Sequence, residues 1–190
     1  MNREQWLTSV GGLLNTQVFQ PVGYEASDFR ISVGFPIKGG RPSLSGKVSI
    51  GECHSPQSSA DNKAQVFISP ILCDPIKVIE TVAHEMVHVI AGNECGHKGP
   101  FKRLAVSIGL TGKMTQTTAG PILLEKIQAI INEMPEYPHG ELTPNTANRK
   151  GSRLVKIVCP ACDNVARQAR KTFETYGLIC GSCSLTMEIE

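Results

Sequence analysis

The chain has no uninterrupted apolar stretch approaching the roughly 18 residues of a membrane span, so no integral membrane protein is expected. Its first residues, MNREQWLTSVGGLLN, lack the apolar core of a secretory signal, and a cytoplasmic address is the default expectation. Strong charge of one sign is also missing. The formal net charge of +2 selects neither nucleic acid nor protein as a partner. There is no internal repeat, which sets aside solenoid architectures. With 41% hydrophobic and 19% charged residues in 190, the composition is that of a globular protein of one or two domains.

Cysteine is present in number, seven in all. In a reducing compartment these read as metal ligands and core residues rather than disulfides. Cys159, Cys162, Cys180 and Cys183 form C-x2-C, seventeen residues, C-x2-C, the spacing of a zinc ribbon. Each C-x2-C turn directs two thiolates at one ion, and two such turns complete a tetrahedron. The segment from Arg153 to Glu190 is too short to fold around a core unaided, so metal binding there is in effect folding. That ion is structural, because its coordination is closed. Cys53 and Cys73 are expected to be buried as small apolar residues. Cys95 precedes His97 by two positions and is the one thiol that can approach a second metal.

Trp6, Leu7, Val10, Leu13 and Leu14 fall at helical spacing between Arg3 and Asn15. Three stretches of β-type composition follow, Phe29 to Phe35, Lys47 to Glu52 and Ala64 to Ser69, separated by Gly, Pro and Ser clusters. Asp74-Pro75 caps and opens a helix that runs to Gly92. A shorter helix is predicted from Pro100 and a further amphipathic one over Pro121 to Met134. The stretch 135–152, which includes Tyr137 and His139, has prolines and little apolar periodicity and reads as a linker. The organisation expected is therefore 1–134, a linker over 135–152, and a ribbon over 153–190.

The central helix contains His84-Glu85-Met86-Val87-His88. Residues four apart share a helical face, so His84 and His88 project together and can hold one metal ion. Glu85 is displaced by one step, where its carboxylate reaches a water on that ion without taking a ligand position. Ile76, Val78, Ile79, Val82, Ala83, Met86, Val87, Val89 and Ile90 make the helix apolar over most of its circumference. A buried helix does not carry two histidines and two glutamates without a chemical reason. A catalytic zinc takes three protein ligands and leaves the fourth place to water. His97 and Glu94 are the candidates for the third, with imidazole the commoner ligand type. Gly92, Gly96 and Gly99 allow the chain to turn back, and Phe101 can anchor that turn. The metzincin pattern fails, since Ala91 and Glu94 stand where Gly and His are required. His54 and His139 read as exposed loop residues.

The stretch from Ile50 to Ala105 resembles the SprT-like metalloprotease family, which includes the eukaryotic protease Spartan. The likeness lies in Gly51-x-Cys53, a strand ending in Ile68-Ser69, the helix bearing Thr81 and His84-Glu85-Met86-x-His88, and His97 followed four residues later by Phe101. Lys98 departs from the family, where glycine is common. The resemblance implies His97 as third ligand and an α+β fold: a small zincin-like metalloprotease domain, built of a short mixed sheet, the HExxH helix and further helices, before the ribbon. It also implies a zinc endopeptidase acting on DNA-associated proteins. Two zinc ions are thus expected, one catalytic on His84, His88 and His97, one structural on the four ribbon cysteines.

Glu85 would accept the proton of the attacking water and later pass it to the leaving amine. Lys98, Lys102 and Arg103 near the metal, with Arg167, Arg170 and Lys171 on the ribbon, are candidate phosphate contacts. Arg149 and Lys150 add to the ribbon's basic residues. The alternative is a non-proteolytic DNA- or transcription-associated binding protein in which the ribbon does the work. The intact Glu85 favours an enzyme, because a scaffold needs only the histidines. A base deaminase is disfavoured, since Pro160 follows the first cysteine of its pair and the histidines carry their own spacing.

Overall fold

Three helices open on proline, each behind a residue that turns the chain: Asp74-Pro75, Gly99-Pro100 and Gly120-Pro121. Proline suits the first helical position because its missing N–H is one the helix would leave unpaired anyway. These starts frame the larger of two compact units, Met1–Asn145 and Thr146–Glu190, in a computed structural model. It describes residues 1–26, 28–37, 48–143 and 154–190. Arg149, Lys150, Arg153 and Lys47, with much of the expected linker, lie outside the described residues.

The first helix, α1 (Arg3–Leu14), is closed at its start by a capping box between Asn2 and Gln5. It buries Trp6, Leu7, Val10 and Leu14, and continues through a π-type turn (Asn15–Phe19) and a 3-10 turn (Gln20–Val22). Gly23, at φ 83°, ends this run in a left-handed conformation that favours glycine. Strands β1 (Phe29–Val33), β2 (Gly51–His54) and β3 (Ala64–Ile68) form one mixed sheet in the order β1-β3-β2. β1 runs parallel to β3, and β2 antiparallel to it. Central β3 alternates buried Ala64, Val66 and Ile68 with less buried Gln65 and Phe67, the period-two pattern of a half-buried strand.

The long helix α2 (Pro75–Ala91) packs on β2 and β3 and against α3 (Pro100–Ser107) and α4 (Pro121–Glu133). Its buried face, Val78, Ile79, Val82, Ala83, Met86 and Val87, joins Phe101, Leu104, Leu123, Ile127 and Ile130 in one core. Each such large side chain withdrawn from water contributes about 1.5–3 kcal/mol before chain entropy is set against it. Between α3 and α4 lies a hairpin of β4 (Leu110–Lys113) and β5 (Gln116–Ala119).

Several expectations need correction. The second strand begins at Gly51 and extends to His54, so His54 is a half-buried strand residue on the ring edge of Phe67 rather than a loop residue. Cys73 is exposed, its Sγ 3.6 Å from a Glu141 carboxylate oxygen. Residues 135–143 are packed into the first unit. Trp6 Nε1 donates to the Pro135 carbonyl (2.8 Å), and Tyr137 is buried with its ring 4.5 Å from that of Trp6. His139 is half-buried, with Nε2 2.8 Å from the Pro70 carbonyl and Nδ1 3.3 Å from Arg3 Nη1.

The second unit is a small antiparallel sheet of β6 (Leu154–Val158), β7 (Val165–Ala169) and β8 (Glu188–Ile189), in the order β7-β6-β8, with α5 (Arg170–Tyr176) after β7. Among the described residues its core has four buried members, Ile157, Cys159, Cys180 and Met187. Two of the four are cysteines, so little apolar burial holds this unit without its thiols. Altogether the described residues form a mixed α+β protein with small sheets and five helices.

Candidate metal centres

α2 presents His84 and His88 on one face, as four-residue spacing requires. The chain leaves that helix at Gly92 (φ 82°) and returns through a 3-10 turn at Asn93–Cys95, then Gly96 (φ 54°), bringing His97 against the pair. Asn93 pins this return by donating its Nδ2 to the Cys53 carbonyl of β2 (2.8 Å). His97 Nε2 lies 3.2 Å from Nε2 of His84 and 3.2 Å from Nε2 of His88. Three ring nitrogens converge on one point, a group that could hold a metal ion.

Phe101 is fully buried beneath them, its ring centroid 5.0, 4.4 and 4.8 Å from those of His84, His88 and His97. The other residues of the return do not join the cluster. Glu94 folds its carboxylate over Gly92, and Cys95 turns its Sγ to the Gly92 carbonyl (3.1 Å).

Burial pushes the His84 imidazole down to about 3, reinforced by His88 and His97. His88 is pushed down to about 4 by burial and then by His97, and His97 is lowered by burial. All three rings are therefore neutral near pH 7, the form that binds metal. His84 Nδ1 is 2.8 Å from the Thr117 hydroxyl of β5, whereas His88 Nδ1 is buried without a partner among the described residues.

Glu85 is 6% exposed and lines the same cleft of about 800 Å³ as the three histidines. Burial, and then the negative charge of Glu52, raise its carboxyl to about 8. A cation held by the histidines would oppose both effects and favour the carboxylate. Gly51 and Cys53 of β2 wall one side of the cleft, and Thr117 with Thr118 of β5 the other.

In the second unit the two C-x2-C turns are built alike. Asp163 N–H donates to the Cys159 carbonyl (3.0 Å) and Ser184 N–H to the Cys180 carbonyl (2.8 Å). Asp163 and Ser184 are both left-handed, each at φ 55°. The sulfurs of Cys159, Cys162, Cys180 and Cys183 lie within 4.8 Å of one another, with Cys162 and Cys180 Sγ 3.6 Å apart. Backbone N–H groups of Cys183 and Ser182 draw the Cys180 thiol down to about 6. Sharing hydrogen bonds with Cys162 pushes Cys183 up to about 12. Four sulfurs so close cannot all ionise without a cation among them, and this group too could hold a metal ion.

Lys98, Lys102, Arg103, Arg167, Arg170 and Lys171 are all exposed. Of these, Arg170 pairs with Glu174 (3.5 Å), and the others make no ion pair with a described residue. Thr117, Glu80 and Gly51 were not picked out as functional residues from the sequence. The hairpin signal is the run of β-branched threonines between Gly109 and Gly120. The chain matches no family model, no curated protein and no solved structure.

Proposed function

We propose that the protein is a zinc-dependent endopeptidase of SprT type, acting on DNA-associated proteins. In this reading 1–134 is a zincin-like metalloprotease domain and 153–190 a zinc ribbon with a closed, structural ion. The observation that carries it is the convergence of three imidazoles beside a buried carboxylate in one open cleft. At the usual zinc–nitrogen bond length, ligands of a tetrahedral ion are about 3.3–3.4 Å apart. The two 3.2 Å separations at His97 suit that ion. Zinc–sulfur bonds place sulfurs about 3.8 Å apart, and the 3.6 Å between Cys162 and Cys180 is close to it.

A zinc ion held by His84, His88 and His97 would supply Lewis acidity, lowering the pKa of a water towards about 7 and polarising a carbonyl. Glu85, one residue from His84 and shielded from solvent, takes the proton of the attacking water and delivers it to the leaving amine. Phe101 excludes water from beneath the ligands. Among the described residues β2 is the edge of its sheet, where an extended peptide could align along the cleft.

The DNA-associated substrate follows from the SprT resemblance and accords with the exposed Lys98, Lys102 and Arg103 around the start of α3. Arg167, Arg170 and Lys171 are the ribbon's candidate phosphate contacts. A cytoplasmic setting belongs to the same reading, and among the described residues no helix is long and apolar enough to cross a membrane.

The test is Glu85→Gln in the full chain. Proteolysis should be lost, as it should with a chelator, while two zinc ions per chain are retained. Cleavage by a contaminant-free Glu85→Gln protein would refute the role given to Glu85. Under the alternative, a ribbon-based DNA-binding protein without protease activity, wild type cleaves nothing, while DNA affinity survives Glu85→Gln and disappears with Cys159→Ser.

A further inference from the structure

Metal-binding histidines are set by what holds their outer ring nitrogen. A metal at Nε2 requires the proton on Nδ1, and that proton needs an acceptor. In His84 the acceptor is at hand: Thr117 Oγ1 lies 2.8 Å from Nδ1. Among the described residues His88 Nδ1 has no such partner, which leaves the hydroxyl at His84 to orient the pair on α2.

That hydroxyl is itself placed from α2. Glu80 is 8% exposed, and its two oxygens are divided. Oε1 accepts from the Ala119 backbone N–H (2.8 Å), and Oε2 accepts from Lys77 Nζ (2.7 Å). Thr117 and Ala119 sit on the same, half-buried side of β5, while Gln116 and Thr118 are exposed. Glu80 and His84 are one turn apart on α2, about 6 Å along its axis. Two strand residues span about 6.7 Å. The strand therefore meets the helix at both points, Ala119 on Glu80 and Thr117 on His84.

We propose that Thr117 is a positioning residue for the histidine metal site, fixing the tautomer and angle of His84, and that Glu80 acts through it by holding β5 in register. The proposal rests on the reading that His84, His88 and His97 bind a metal ion, but not on proteolysis.

The test measures zinc affinity on the full chain with the ribbon loaded, by competition with a chelator, beside the cobalt-substituted absorption spectrum. Thr117→Val keeps the shape and removes the hydroxyl; affinity at the histidine site should fall by about 10- to 100-fold, with a changed cobalt spectrum. Thr117→Ser should restore both. Glu80→Gln, which keeps an acceptor for Ala119, should stay near wild type, and Glu80→Leu should resemble Thr117→Val. The double variant Thr117→Val/Glu80→Leu should lose little more than Thr117→Val alone, because both act on one contact. An unchanged affinity in folded Thr117→Val, a Thr117→Ser as weak as the valine variant, or additive losses in the double variant would each overturn the proposal. Folding is checked by the fluorescence of Trp6, buried in the first unit's core. A His97→Ala protein that binds as much zinc as wild type would overturn the metal reading and this proposal together, whereas the three preceding outcomes sink the proposal alone.

Discussion

Gly51 and Glu85 touch. A Cβ on Gly51 would lie 2.5 Å from Glu85 Oε1 and 2.6 Å from Thr81 Cγ2. The absent side chain on the edge strand is what lets the carboxylate lie over that strand beside the histidines. Gly51→Ala is expected to displace the end of the Glu85 side chain while the fold survives, at a cost of about 1–3 kcal/mol. A displacement near 1 Å at a reacting group lowers turnover by about 100-fold. Zinc content should stay at two per chain. Unchanged turnover in the folded variant would mean that Glu85 needs no such placement.

The return loop makes a different forecast. His97→Ala should lower zinc from two ions per chain to one, read by elemental analysis. Glu94→Ala should leave both, since the Glu94 carboxylate lies over Gly92 and away from the cluster.

The metal-free protein should have a stability optimum in pH. His84 and His88 are held at about 3 and about 4, below the ordinary 6.5, so the folded state binds fewer protons there than the unfolded chain. Their effect lowers stability as pH falls through 6.5. Glu85, raised from 4.5 to about 8, works the other way, with stability falling as pH rises between those values. From 4.5 to 6.5 His84 and His88 outweigh the glutamate by one proton, a slope of about 1.4 kcal/mol per pH unit to which the lowered His97 adds. Above 6.5 the glutamate acts alone and the sign reverses. Thermal melts of metal-stripped protein, followed by the single tryptophan, should peak near pH 6.5. In Glu85→Gln the alkaline decline should disappear.

For the ribbon, Cys180→Ser should release one zinc ion and leave 154–190 open to proteolysis, because its apolar core is too small to fold alone. Retention of both ions and of protease resistance would show that three thiols suffice.

How much of this could be read beforehand divides along sequence distance. The α2 helix is written locally, in Asp74-Pro75 at its start, Gly92 at its end and the spacing of His84 and His88. The ribbon cysteines are written in their own spacing. The β4–β5 hairpin is written only in its β-branched threonines, such as Thr111, Thr117 and Thr118, without alternation of apolar and polar residues, so nothing local announces its contact with His84. Tyr137 stands in a stretch of linker-like composition, and its burial depends on Trp6, far away in sequence. Thiols are buried on average, and the exposure of Cys73 follows from how the chain before α2 packs rather than from any local spacing.

The hydrogen bond from Trp6 to Pro135 spans 129 residues, and His139 reaches Arg3 nearby. Opening and closing segments of the first unit thus lie side by side, as in a ring lacking one covalent link. A short bridge from residue 143 back to Met1 can close that ring, and the exposed turn at Asp61 is a natural place to cut new termini. Such a circular permutant should keep the histidine cluster intact, since every residue that builds it lies between the new link and the cut.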